Sequence, residues 1–128
     1  MAQFKRVLVK LSGEALLAAD GFWLSPQILM TLAHDLADTA RNGTEIAVVI
    51  GGGNIIRGAK VGAAGWIDRA TADSMGMLAT VMNSLALEGA LEAAGASART
   101  LSDSADPVAR RSLATRLRSD CIRSNTRT

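Results

Sequence analysis

Residues 46–54 read Ile-Ala-Val-Val-Ile-Gly-Gly-Gly-Asn, five apolar side chains in unbroken succession that stop at three glycines. A strand with one face in water alternates apolar and polar residues, whereas a strand of a parallel sheet is covered on both faces and stays apolar throughout. Residues 46–50 therefore predict an interior parallel strand, and the glycines predict an abrupt turn at its carboxyl end. Upstream, Phe4-Lys5-Arg6-Val7-Leu8-Val9-Lys10-Leu11 is β-branched at its centre and closes at Ser12-Gly13. It predicts a first strand, buried through Val7, Leu8 and Val9.

Between these strands, Ser25-Pro26 has the chemistry of a helix start: a hydroxyl to cap, then a ring that presets φ and has no N–H to leave unpaired. Ile28, Leu29, Leu32, Leu36 and Ala40 follow at spacings of three and four, and Asn42-Gly43 ends the pattern. A second helical pattern runs from about residue 68 to residue 94 and stops at Gly95. Residues 98–101 offer a third strand. This order predicts an α/β fold, three-layer αβα, with a mainly parallel sheet and right-handed crossovers.

Composition narrows the class. A chain of 128 residues fits one domain, and 48% apolar against 20% charged residues excludes wholesale disorder. Aromatics make up 3%, with no Tyr, so Leu, Val, Ile, Met and Ala must fill the core. The single cysteine, Cys121, excludes a disulfide framework and a cysteine-based zinc site. The N-terminus lacks the apolar segment of a secretory signal, and no uncharged apolar run reaches membrane-spanning length. The expectation is a soluble protein of the cytoplasm, without a membrane partner.

The net charge of +2 is unevenly spread. Residues 1–102 hold 8 Lys/Arg and 9 Asp/Glu, and residues 103–128 hold 6 Arg and 3 Asp. Val108, Leu113, Leu117 and Cys121 recur at four- and five-residue steps, which allows a short helix over about residues 107–118. With so few large apolar groups the expectation is a loosely docked, disordered or weakly helical tail. The tail lacks aromatics for base stacking and any recognised module, so nucleic acid is not expected as a partner.

In parallel sheets, ligands collect at the carboxyl ends of the strands. Two glycine turns fall there, Lys10-Leu11-Ser12-Gly13-Glu14 and Gly51-Gly52-Gly53-Asn54. Successive backbone N–H groups can cradle phosphate oxygens, a lysine beside them adds a mobile charge, and Arg57 can fork onto a phosphate. The plainer reading is a tight turn beside an exposed strand-end lysine, and spacing alone leaves both open. No window supplies a Walker A pattern, and a dinucleotide fingerprint begun at Gly51 would need Gly where Ile56 stands. Asp73 and His34 read as solvated helix residues, and Met75, Met77 and Met82 as packing.

Taken together, Lys10-Leu11-Ser12-Gly13-Glu14-Ala15-Leu16, Val48-Val49-Ile50-Gly51-Gly52-Gly53-Asn54, Arg57-Gly58 and Asp73-Ser74-Met75-Gly76-Met77-Leu78-Ala79-Thr80-Val81-Met82-Asn83 resemble bacterial uridylate (UMP) kinase, of the amino acid kinase superfamily. The resemblance spans about residues 4–102. It implies phosphoryl transfer from ATP to UMP in pyrimidine nucleotide biosynthesis, with Mg²⁺ bridging phosphates and no metal ligand assigned in this chain. It implies that Lys10, Leu11, Ser12 and Gly13 contact ATP, with Lys10 the catalytic cation, and that Gly53 and Arg57 hold ATP phosphates. Gly52 would contact UMP and Asp73 the UMP sugar. Residues 18–23 match a segment linked with GTP activation, with Trp23 where the family commonly has Gly. The family is hexameric, built from dimers through a helix that the methionines line.

The family continues for roughly as many residues again, with a Gly-Thr-Gly-Asn-Pro loop, a catalytic aspartate and the adenine pocket. On this reading residues 1–102 are the N-terminal, UMP-binding half of such a domain and residues 103–128 a divergent basic tail, as a frameshift or premature end would produce. Impaired activity is expected. The alternative is a non-catalytic nucleotide-binding or structural α/β fragment.

Overall fold

A computed structural model of the chain describes residues 3–56, 58–102 and 115–117. Strand β1, Arg6–Leu11, runs parallel to β2, Glu45–Ile50, in unbroken register from Arg6 opposite Glu45 to Leu11 opposite Ile50. The chain crosses between them through a 3₁₀ turn, Gly13–Leu16, and helix α1, Pro26–Arg41. The local chemistry sets both ends of α1. The Ser25 hydroxyl accepts the Ile28 N–H at 3.3 Å, Pro26 takes the first turn, and Gly43 leaves the helix at φ +94°.

After β2 come a short helix α2, Gly58–Ala63, and the long helix α3, Arg69–Ala93. Asp68 caps α3: its carboxylate accepts from the Thr71 N–H at 3.0 Å and the Thr71 hydroxyl at 2.7 Å. Those two donors hold the Asp68 carboxyl below its ordinary pKa of 3.8. Gly95, at φ +80°, ends the helix as its position predicts.

The core lies between the helices and one face of the sheet. Ile46, Val48 and Ile50 of β2 pack with Leu29, Ala33, Leu36 and Ala40 of α1 and with Leu87 and Leu91 of α3. Small residues on α1 admit α3 closely, and the buried apolar side chains are all aliphatic.

Several expectations change here. β1 is not buried continuously: Val7, Val9 and Leu11 pack against the core, while Leu8 is 69% exposed on the opposite face. Residues 98–100 are not a strand, and β3 comprises only Leu101–Ser102. Within the tail, Thr115–Leu117 is extended as β4 and pairs antiparallel with β2, Ile46 opposite Leu117. The short helix that the spacing allows over residues 107–118 is therefore not formed at these three positions, and the remainder of the tail lies outside the described residues. The sheet order is β1-β2-β4, one parallel and one antiparallel pairing among the described residues. Among them no helix is long and apolar enough to cross a membrane.

Candidate functional site

Because β1 and β2 are parallel and in register, their carboxyl ends stop side by side. The Gly51 N–H donates to the Leu11 carbonyl at 3.0 Å, so both strands release their chains into loops at one level. Between those loops opens a cavity of about 530 Å³, lined by Lys10, Leu11, Ser12 and Gly13 from one side and by Val49, Ile50, Gly51 and Gly53 from the other. The structure thus brings five of the residues singled out from sequence, Lys10, Leu11, Ser12, Gly13 and Gly53, onto one concavity. Lys10 is exposed at its edge. Among the described residues the N–H groups of Gly13 and Gly53 have no hydrogen-bond acceptor, which leaves two donors beside a lysine. An anion is the natural complement of such a set.

Gly13 and Gly52 serve close approach rather than unusual dihedrals, and none of Gly13, Gly51, Gly52 or Gly53 has positive φ. A β-carbon on Gly13 would lie 2.5 Å from the Gly51 carbonyl oxygen and 2.6 Å from Asn54 Oδ1. One on Gly52 would lie 2.8 Å from Ala79 Cβ and 2.9 Å from the Gly76 carbonyl oxygen. Gly52 is therefore buried against α3, beneath the cleft rather than on its lining.

Asp73 stands apart from the lining residues. It is exposed on α3 and accepts from Arg69 Nε at 2.8 and 3.0 Å. Asp73, Gly76, Thr80 and Asn83 recur at three- and four-residue steps and so share one helix face. Gly52 packs on Gly76 and Thr80, which puts Asp73 one turn beyond the glycine loop along that face. Arg57 lies outside the described residues. His34 is exposed. Among the described residues no three His, Cys, Asp or Glu side chains gather as a metal site.

Two residues carry more of the site than their sequence context indicates. Asn83, fully buried in α3, donates through Nδ2 to the Gly51 carbonyl at 2.7 Å and to Asn54 Oδ1 at 2.6 Å. Asn54 Nδ2 donates in turn to Asn83 Oδ1 at 3.1 Å and to the Trp23 carbonyl at 2.6 Å. A polar residue amid methionines and leucines at helical spacing was the available signal for Asn83; its partners are distant in sequence.

The amino acid kinase family matches this chain over residues 5–126, past the change of composition at residue 102. A uridylate kinase from Azorhizobium caulinodans is 57% identical over 99 residues, covering 77% of this chain and 41% of that protein. The crystal structure of UMP kinase from Ureaplasma parvum aligns at a TM-score of 0.69 and 33% identity, over 77% of this chain and 43% of that one. UMP kinase from Bacillus anthracis aligns at a TM-score of 0.64 and 42% identity, over 70% of this chain and 36% of that one. The chain spans about two-fifths of the length of these relatives.

Proposed function

The chain belongs to the amino acid kinase family, and from that membership we propose that it is the nucleotide-binding part of a cytoplasmic UMP kinase, which transfers the γ-phosphoryl group of ATP to UMP. One observation carries the reading: the in-register strand ends bring Lys10, Gly13 and Gly53 around a single cavity. In such a transfer a UMP phosphate oxygen forms the new bond to the γ-phosphorus while the β–γ bridge breaks to leave ADP. Catalysis then consists of positioning and charge stabilisation. Lys10 would supply the mobile positive charge, with Ser12, Gly13, Gly53 and Arg57 on ATP phosphates. Gly52 would shape the UMP side by letting the loop lie on α3, and Asp73 would accept from the sugar hydroxyls. Mg²⁺, carried on the nucleotide phosphates, would neutralise part of their charge.

Because the chain spans two-fifths of its relatives, the 128 residues by themselves are expected to turn over slowly or not at all. Loss of one preorganised donor typically costs about 10²–10³ in rate, and the relatives' remaining length stands for many. The test is a coupled ADP-release assay with UMP, and CMP as control, beside calorimetric titration of UMP and MgATP. UMP-dependent turnover supports the kinase reading outright. Saturable binding without turnover favours the non-catalytic alternative for this chain, and absence of both refutes nucleotide binding by it. Lys10→Ala should weaken MgATP about tenfold or more, as loss of a charge-assisted contact does, and leave UMP affinity unchanged. The loop over residues 18–23 is the segment to test for a GTP effect. A second copy of the chain is the expected partner for the apolar side of α3.

A further inference from the structure

We infer that Asn54 and Asn83 are positioning residues of the cleft: their paired amides pin the Gly51–Gly53 turn to α3 and tie it to the loop that carries Trp23. The inference rests on the kinase reading only for the identity of the ligand. The orientation of both amides is settled by what faces them. The carbonyls of Gly51 and Trp23 can only accept, so each must meet an Nδ2, and the two Oδ1 atoms are left to accept from each other's amide. Both Nδ2 groups thereby use both hydrogens.

The position of this pair gives it leverage. Asn83 is fully buried, where an unpaired amide is costly, so the pair holds a single arrangement. It ties the Gly51 carbonyl to α3, in the segment whose next residues set the Gly53 N–H. Gly13, from the other strand end, sits so close to the same point that a β-carbon would collide with both Gly51 O and Asn54 Oδ1. Three segments distant in sequence therefore meet at two side chains. Movement of the Trp23 loop reaches the anion-facing turn through Asn54, and the turn's position reaches α3 through Asn83.

The experiment uses the full 128-residue chain, ¹⁵N-labelled, as wild type, Asn54→Ala and Asn83→Ala. Amide exchange and chemical shifts are first read without ligand. Asn54→Ala should perturb residues 51–54 and residues 22–24 together while leaving β1 and the middle of α1 unchanged. Perturbation confined to residue 54 and its neighbours would overturn the inference. Because Asn83→Ala removes a buried group and can fail to fold, the half-buried Asn54 is the primary variant. Inorganic tripolyphosphate and MgATP are then titrated against the Gly13 and Gly53 signals. Asn54→Ala should weaken both by the same factor, about tenfold, for loss of a fixed donor geometry. Equal binding by a folded Asn54→Ala, or loss of MgATP with tripolyphosphate unchanged, would also overturn it. If wild type binds no nucleotide, nucleotide binding by this chain is refuted, and the ligand-free comparison still decides the positioning role.

Discussion

A methyl group added at each glycine of the cleft meets a different obstacle. Gly13→Ala would drive its β-carbon into the Gly51 carbonyl at 2.5 Å, backbone that cannot step aside without parting β1 from β2. Gly52→Ala would push the turn off α3. Each should lower the unfolding free energy by about 1–3 kcal/mol in urea titrations, the usual cost of overpacking. Gly53→Ala differs, because the nearest atoms belong to the Glu14 side chain at 3.8 Å and φ is not positive. Its stability should stay within about 0.5 kcal/mol of wild type, while the methyl narrows the cavity and weakens MgATP. If Gly53→Ala destabilises as much as Gly13→Ala, the turn is a packing device and its place in the ligand site is in doubt. The glycine turns were legible in sequence, but the reason for them was not: a run of three suggests free dihedrals, whereas the fold demands an absent side chain at Gly52, as at Gly13, and leaves room at Gly53. Asn83 was less legible still, since its meaning depends on carbonyls 32 and 60 residues away, Gly51's directly and Trp23's through Asn54.

Helix ends were the most legible elements because their chemistry is local. Ser25→Ala removes the acceptor for the Ile28 N–H in a buried setting and should cost about 1 kcal/mol, measured by denaturant unfolding. At the other cap, Asp68 has its pKa lowered in the folded chain by the Thr71 hydroxyl and N–H. A carboxyl depressed on folding contributes stability above its unfolded pKa, near 3.8, and loses it as pH falls through the lower folded value. Asp68→Asn keeps an acceptor but does not titrate. Wild type should therefore lose more melting temperature than Asp68→Asn on going from pH 5 to below about pH 4, and parallel curves would show that the cap's charge is idle. Strand faces were harder to read. Val7, Leu8 and Val9 are all apolar, so period two has no contrast to detect, and only the fold shows that Leu8 points away from the core. β4 was illegible for a related reason: three residues of Thr-Arg-Leu carry no periodicity, and it is the β2 edge that makes them a strand.

For the molecule as a whole, the unsolved demand is the cover for its apolar surface. On α3, the side bearing Ala79, Asn83 and Leu87 is buried, while Leu78, Met82 and Leu85, at steps of four and three, are 58%, 47% and 46% exposed, and Met77 is 65% exposed. A 25-residue helix is about 37 Å long, and a contiguous exposed apolar stripe on it is the kind of surface that marks an interaction site. A second copy presenting the same stripe would cover it at little cost, because the residues are already held by the helix and bury about 25 cal/mol per Å² on contact. Light scattering at tens of micromolar should give a mass of at least twice 13.3 kDa. The double variant Leu78→Lys, Met82→Glu should reduce it to a monomer with an unchanged far-ultraviolet spectrum. The open sheet face offers a rival site through Leu8, which is 69% exposed. Leu8→Lys is therefore the discriminating control. If it alone yields the monomer while the α3 variant stays associated, the chains meet through their sheets, and α3 is left without a self-partner.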